Sequence, residues 1–137
     1  MCMWFKRSLF IVVSSATLLV GCNAHSVSQA DRSQKQAFEH KRIEVAVENI
    51  LNINTTRDAD GNSNPYRRKL VQWLPDSETW SVVEDPSPFL RRYEPGHPDA
   101  GSDGFVRYPN VDMATEACEI QSAKLQIERL EASHAGT

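Results

Sequence analysis

Three groups of side chains in this 137-residue sequence have types and spacings that could do chemistry. The first is the run DADGNSN at residues 58–64, where oxygen-bearing side chains alternate as they do in calcium-binding loops. An EF-hand loop has glycine at position 6 and a bidentate glutamate at position 12, whereas here glycine is at position 4 and Lys69 stands at position 12. The sequence therefore predicts a polar turn at this place and no metal site.

The second group is His97, Asp99 and Asp103, which could act as metal ligands or as a general acid and base. These residues lie in a stretch rich in proline and glycine with no second histidine nearby, so hydrogen bonds within a turn are favoured. The third group is the single residue Cys118, which has no obvious activating base near it in sequence and is predicted to be a small, half-buried helix residue. We predict no catalytic residue, no cofactor and no enzymatic activity.

The N-terminus has the pattern of an export signal. Lys6 and Arg7 precede an uncharged apolar run at residues 8–20. At about 1.5 Å of rise per residue, a run of this length is too short to cross a bilayer, which needs about 20 residues. The pattern is typical of a secretory signal peptide.

The end of this run, Leu19-Val20-Gly21-Cys22, resembles the lipobox of bacterial lipoproteins. The resemblance implies that residues 1–21 are a cleaved signal peptide and that Cys22 is acylated and becomes the first mature residue. A plain signal peptide and an uncleaved anchor are the alternatives. Asn23 is not the aspartate that causes retention at the inner membrane in many bacteria, so the outer membrane is mildly favoured.

The composition excludes some classes of protein. The formal net charge is −3 and no basic block is present, so nothing predicts a nucleic-acid partner. If Cys22 carries lipid and Cys2 is removed with the signal, Cys118 has no disulfide partner in the chain. A small exported domain without disulfides must be stabilised by its own packing or by partner subunits.

The rest of the chain reads as helix, loop-rich β section and helix, which is an α+β class of fold. The first helix is predicted from a cap at Ser28 to about Ile53, within a segment at 22–57. Short strands are predicted at 69–74, 79–84, 89–93 and 105–108, within a β section at 58–109. The last helix, in the segment 110–137, is predicted to be capped by Asn110 or Asp112 and to end near Ala132.

Both helices carry apolar residues at steps of three and four, so we expect them to pack on each other as an antiparallel, coiled-coil-like pair. Glu116 is assigned to the polar face of the last helix. The predicted helix seam consists of Ile43, Val47, Ile50, Ala117, Ile120, Ile127 and Leu130.

Two stretches carry a sharper resemblance. One is RIEVAVENILNINTTR at 42–57, followed by PYRRK at 65–69; the other is VEDPSPF at 83–89, then YEPGHPDA at 93–100 and GFVRYPNV at 104–111. Together they resemble the flagellar basal-body rod protein C family, the proximal rod subunits. The resemblance covers residues 34–132, and several separate motifs occur in the family's order.

The resemblance implies a structural subunit whose terminal helices pack together in the inner part of a tubular rod, with the middle section facing outward. Its implied partners are other rod or basal-body proteins and copies of the chain itself. The motif residues are then architectural, forming a helix end, a strand start and turns. They are Asn49, Asn52, Asn54, Thr55, Pro65, Tyr66, Arg67, Arg68, Pro95, Gly96, His97, Pro98, Asp99, Gly104, Tyr108, Pro109 and Asn110.

A lipobox is foreign to that family, whose members pass through the flagellum's own export channel. Two hypotheses therefore follow from the sequence. The first is a rod-like basal-body subunit, lipid-anchored on the periplasmic side of the envelope and needed for motility. The second is a non-flagellar envelope lipoprotein that keeps the rod fold as a partner-binding module.

Overall fold

The computed structural model describes the backbone of residues 21–135 and the side chains of residues 29–133. The predicted signal peptide, apart from the backbone of Gly21, and the side chain of Cys22 lie outside the described residues. In chain order the elements are α1 (Gly21–Leu51), β1 (Lys69–Leu74), a 3-10 turn (Pro75–Ser77), β2 (Thr79–Glu84), β3 (Leu90–Tyr93), β4 (Phe105–Tyr108) and α2 (Met113–Ala135). The α+β class is confirmed, and the division into segments at 22–57, 58–109 and 110–137 stays a prediction.

The β section consists of two antiparallel hairpins. Strand β1 pairs with β2 so that Trp73 lies opposite Trp80, and β3 pairs with β4 so that Tyr93 lies opposite Phe105. The four predicted strands are confirmed, with only the third starting one residue later than expected, at Leu90. Each hairpin is a separate two-stranded sheet, so each needs helices or loops against it for stability.

The helix ends differ from the predicted ones in one respect. Helix α1 already begins at Gly21, so Ser28 lies inside the helix and is not its cap. Helix α2 has the predicted cap, because the carboxylate of Asp112 accepts a hydrogen bond from the backbone N–H of Thr115 at 2.8 Å. Hydrogen bonds from Thr115 hold the pKa of Asp112 below its usual range. No helix in the described part of the chain is long and apolar enough to span a membrane.

Helices α1 and α2 pack against each other, and α1 also packs on β1. The contact with β1 includes an edge-to-face pair in which the rings of Phe38 and Trp73 are 5.6 Å apart. Apolar side chains from both helices and from the segment around β4 are buried. They are Val45, Ala46, Val106, Tyr108, Val111, Ala123 and Ile127.

The seam between the helices is rotated by about one residue from the predicted one. Val47 is 42% exposed and Ala117 is exposed, whereas their neighbours Ala46 and Glu116 are buried. The physical reason is that a buried polar pair, Asn49 and Glu116, joins the end of α1 to the start of α2, and the rotation of both helices must keep this pair between them. Of the other predicted seam residues Ile127 is buried, and four are half-buried: Ile43, Ile50, Ile120 and Leu130.

Candidate assembly site

Asn49 joins the two helices to the start of the first hairpin. Its side-chain amide is 1% exposed. The nitrogen donates to the carbonyl of Lys69 at 2.9 Å and to a carboxylate oxygen of Glu116 at 3.1 Å. The oxygen accepts from the backbone N–H of Lys69 at 2.9 Å and from the hydroxyl of Tyr66 at 3.0 Å. All four hydrogen-bonding positions of this amide are therefore occupied.

The contact between Asn49 and Lys69 copies a rung of a β-sheet. One side-chain amide satisfies both the N–H and the C=O of the first residue of β1, as a neighbouring strand would. Buried backbone groups must find such partners because leaving them unpaired is costly. Asn49 thus pairs with the open edge of β1 at Lys69, the first residue of the strand.

A buried charge network continues from Asn49. Glu116, whose side chain is 2% exposed, pairs with the Nε of Arg68 at 2.6 Å. The same guanidinium reaches the carboxylate of Asp85 at 3.2 Å, just after β2. Glu116 and Asp85 were not among the predicted site residues, and the prediction that Glu116 lies on the polar face of the helix is wrong. The signal that could have revealed the network is the arginine of the PYRRK run at the entry to an otherwise apolar strand.

The network also shifts the ionisation of its members. Burial alone lowers the pKa of Arg68, but hydrogen bonds and charge from Glu116 and then Asp85 outweigh it, and the net pKa is raised. Hydrogen bonds from Ser87, together with the charge of Arg68, hold the pKa of Asp85 below its usual range. Both groups therefore remain charged at neutral pH, and the network stays intact there.

Because of Tyr66, we expect the folded chain to lose stability in alkali. Burial, reinforced by Glu48 and Glu116, raises the pKa of its hydroxyl to about 12 from 10.0. Because the folded state holds the proton more tightly than the unfolded state, this contribution to stability is complete below pH 10 and disappears as the pH rises towards 12. We expect Tyr66→Phe to flatten the decline of the urea midpoint between these two values.

The control for this alkaline experiment is Tyr93→Phe, because Tyr93 is 66% exposed. We expect it to leave the decline of the urea midpoint unchanged. A Tyr66→Phe protein whose midpoint still falls as steeply as that of the parent chain would contradict the assignment.

The other asparagines of the helix-end motif act locally. The side chain of Asn52 donates to the carbonyl of Glu48 at 2.9 Å, and the Thr55 hydroxyl donates to Asn52 at 3.1 Å. The backbone N–H of Tyr66 then reaches the carbonyl of Thr55. Asn54 is exposed. The amide of Asn52 therefore terminates α1, whereas that of Asn49 links the helix to other elements.

A second cluster holds the turn before β4 against the end of α1. The buried Asp99 accepts a hydrogen bond from the Thr56 hydroxyl at 2.7 Å and forms an ion pair with Arg57. Thr56, with Arg57 adding its charge, holds the pKa of Asp99 below its usual range. The backbone N–H of Asp99 donates to Nδ1 of His97 at 3.1 Å. These partners leave Asp99 and His97 tied within a turn and not aimed at a shared ligand.

The remaining motif residues differ in their burial. The Tyr108 hydroxyl donates to Glu94 at 2.8 Å, and Pro109 next to it is fully buried. Pro65 is buried, Arg67 is half-buried, and Asn110 is half-buried at the entry to α2. Pro95, Gly96 and Pro98 are exposed.

We expect substitution of Gly104 to destabilise the turn before β4. Its φ is +76°, and an added Cβ would lie 2.7 Å from the ring of Tyr93. We expect Gly104→Ala to lower the free energy of unfolding by about 1–2 kcal/mol, because L residues are strained in this backbone region. Gly96→Ala is the matched control, since nothing lies within 4 Å of its added Cβ. Equal urea midpoints for the two variants would refute the prediction.

The other residues considered for chemistry are engaged elsewhere. Asp58 accepts hydrogen bonds from the backbone N–H groups of Asp60 and Asn62 in its own loop. Asp103 pairs with Arg91. Cys118 is exposed and free, so the prediction that it is half-buried is wrong: it lies about 200° around α2 from Glu116, away from the helix contact. Within the described residues, no group of three His, Cys, Asp or Glu side chains could hold a metal ion.

The flank of α1 that faces neither its helix partner nor the sheet is apolar. The residues of α1 that bond to α2 or contact β1 span about 120° of the helix surface. They are Phe38, Arg42, Glu48 and Asn49. With about 100° per residue, the opposite flank carries three aliphatic side chains. They are Ile43, Val47 and Ile50.

Helix α2 has a matching flank. Glu116 faces Asn49 and Arg68, and Glu119 reaches Arg42 on the sheet side of the pair. About 40–100° round from Glu116 lies another apolar row, formed by Met113, Ala117 and Ile120. Because the helices are antiparallel, the two rows border one groove on the side opposite the sheet. We call the six residues of the two rows the helix groove; Met113 in it is 55% exposed.

The fold consists of two paired helices, a small β section held to them by buried hydrogen bonds, and an open apolar groove. These features define the class of protein as a structural subunit that assembles with other subunits. Comparisons with known proteins give the particular family. The chain is 35% identical over 96 residues to the flagellar basal-body rod protein FlgC of Salmonella typhimurium, covering 64% of this chain and 70% of that protein. It is 31% identical over 105 residues to that of Bacillus subtilis (60% and 70%) and 34% over 91 residues to that of Agrobacterium fabrum (60% and 65%).

No family model matches the chain. The relatives nevertheless show that it belongs to the FlgC family of flagellar basal-body rod proteins, as the motif resemblance predicted. The relatives are structural proteins of the rod, and the chain likewise has the structural role of a basal-body rod protein.

Proposed function

We propose that this chain is a lipid-anchored proximal rod subunit that assembles with copies of itself and with other basal-body proteins through the helix groove. The observation that carries the proposal is the groove itself, with Val47 and Met113 left 42% and 55% exposed. Burying an aliphatic side chain of this size contributes about 1.5–3 kcal/mol. Exposed apolar rows on both helices of a pair are therefore a surface for further helices.

A charge placed in the groove tests this proposal. We expect Ala117→Asp to abolish swimming and to leave the chain out of purified basal bodies, because an unpaired carboxylate cannot be buried against an apolar partner. The matched control is Ala37→Asp, at an exposed position on the far side of α1 from α2. Both sites are exposed, so both variants should fold. Normal swimming of the Ala117→Asp strain would count against assembly through this surface.

We further propose that Cys22 is acylated and that the chain lies on the periplasmic side of the envelope, with the outer membrane mildly favoured. The supporting feature is the lipobox-like sequence at residues 19–22. More than one acyl chain is needed for stable anchoring, since each buried methylene adds only about 0.8 kcal/mol. Mass spectrometry of the mature N-terminus with membrane fractionation tests this proposal, and Cys22→Ser should release the chain. An unmodified N-terminus at Met1 would refute it.

The second candidate function is that of a non-flagellar envelope lipoprotein, which uses the rod fold to bind a partner. The same lipobox-like sequence favours it, because a chain threaded through the flagellar export channel needs no lipid signal. Deletion of the gene separates the candidates. Loss of swimming and of complete basal bodies supports the rod subunit, whereas normal basal bodies support the second candidate.

A further inference from the structure

The outer face of the second hairpin combines arginines with aromatic rings. We call it the arginine–aromatic face, and it consists of Arg67, Phe89, Arg91, Tyr93, Phe105 and Arg107. In an antiparallel pair, residues 91 and 93 of β3 share one side with residues 107 and 105 of β4. Val106, on the opposite side, is fully buried. The arginine–aromatic face is therefore the side of the hairpin turned away from the core.

Each guanidinium on this face is stacked on a ring. Arg67 lies 4.3 Å from the ring centre of Phe89, and Arg91 lies 4.5 Å from that of Phe105. Arg107 lies 5.6 Å from the ring centre of Phe89, the ring that Arg67 also contacts. Stacking on a ring fixes the position of a guanidinium. Part of each N–H edge is already used, since Arg67 donates to the carbonyls of Asp85 and Ser87 at 3.1 and 3.2 Å, and the remaining N–H groups are free to bond carboxylates.

The positive charge of the face is only partly balanced. Among the described residues, Arg91 is paired with Asp103, and Arg67 has a distant carboxylate, Glu84, at 3.9 Å. Arg107 donates to the neutral carbonyl of Ser63 at 2.9 Å. In a chain with a formal net charge of −3, a concentration of positive charge on one surface favours a complementary acidic surface.

The β section carries one acidic surface that fits. Most of its carboxylates have partners in ion pairs or hydrogen bonds, and Asp60 lies in the loop next to Arg107. In the described structure, Asp76 and Glu78 form no ion pair and are exposed. They flank Ser77 in the turn between β1 and β2. We call residues 75–78 the acidic turn.

The acidic turn cannot reach the arginine–aromatic face of its own molecule. Arg67 lies at the opposite end of the β1–β2 hairpin from the turn, and six strand residues span about 20 Å. The turn has a defined shape, because the backbone N–H of Glu78 bonds to the carbonyl of Pro75 and Glu78 has a φ of 49°. A contact between the acidic turn and an arginine–aromatic face therefore joins two molecules.

We propose that the acidic turn of one copy docks on the arginine–aromatic face of the next copy. The inference rests on the proposed function, in which copies of the chain assemble with one another. The two contacting surfaces are different, so the contact is heterologous and repeats from copy to copy, into a ring or an open chain. Carboxylates of Asp76 and Glu78 would meet the arginines at 67, 91 and 107.

Cysteine cross-linking in cells tests the contact. In the full chain with Cys118→Ser, we combine Asp76→Cys with Tyr93→Cys and oxidise. A ladder of dimers, trimers and longer chains is expected, because each copy offers both halves of the contact. Asp60→Cys with Tyr93→Cys is the control and should give no ladder. If the first pair forms only dimers or no cross-link, the proposed contact is wrong.

Charge reversal provides the second arm. Adding Arg91→Glu should lower the ladder yield at least about tenfold, since like charges then face each other. Adding Glu78→Arg as well should restore it, and failure of this restoration would overturn the pairing. The ladder decides the contact, whereas the presence of the chain in purified basal bodies decides the proposed function. A chain found in basal bodies without a ladder would keep the function and reject the contact.

Discussion

Asn49→Ala lowers the free energy of unfolding by about 3 kcal/mol, which we expect to be one of the two largest effects of a single substitution in this chain. The substitution removes four hydrogen bonds at once, two of them to the backbone of Lys69. It leaves the N–H and C=O of that residue without partners at the edge of β1. Each buried polar group left unpaired costs about 1–3 kcal/mol, and water can reach part of this site.

Urea unfolding of the chain without residues 1–22 measures this effect, and Asn54→Ala is the matched control. Asn54 is exposed, five residues away on the same helix-end motif. We expect its substitution to change the free energy of unfolding by less than about 0.5 kcal/mol. If the two variants were equally stable, the amide of Asn49 would not be the link between helix and sheet.

The strands could be predicted because their signals are local. Gln72 separates Val71 from Trp73 and Ser81 separates Trp80 from Val82. Pro75 interrupts the run where the chain turns. The turn residues between β3 and β4, including Gly104 with its positive φ, also carry their conformation in their own chemistry. No contact between residues far apart in sequence was needed to predict these elements.

The helix seam could not be predicted in the same way. Periodicity identifies an apolar flank, but a helix with two partners has two buried sides, and the pattern does not say which partner meets which side. Val47 and Ala117 lie on the groove side, whereas Asn49 and Glu116 fill the contact between the helices. Polar residues at a buried contact look like surface residues until their partners are known.

The residues of the candidate site could be predicted only in part, because some of them are far apart in sequence. Asn49, Tyr66 and Arg68 entered it through the motif resemblance, and the structure brings these three together. Asp85 and Glu116 are 17 and 48 residues from Arg68 in sequence, so no local pattern links them to it. Only the packing of α2 on α1, which brings Glu116 to the residue before β1, creates the network.

Arg68→Ala should have an effect of about 3–5 kcal/mol on the free energy of unfolding. Its guanidinium lies between two buried carboxylates, with the side chains of Glu116 and Asp85 only 2% and 9% exposed. Removing the cation leaves both carboxylates buried without an opposite charge, which is more costly than never having buried the pair. The exposed Arg129 on α2 is the control, and Arg129→Ala should change stability by less than about 0.5 kcal/mol.

A second variant separates the lost charge from lost packing. In Arg68→Ala with Glu116→Gln, the amide can still accept a hydrogen bond from Asn49, and one of the two unpaired negative charges is gone. We expect the double variant to recover at least about 1 kcal/mol relative to Arg68→Ala alone, because neighbouring substitutions in one charge network are not additive. Additive losses in urea unfolding would mean that Arg68 stabilises the fold through its alkyl chain and not through the buried carboxylates.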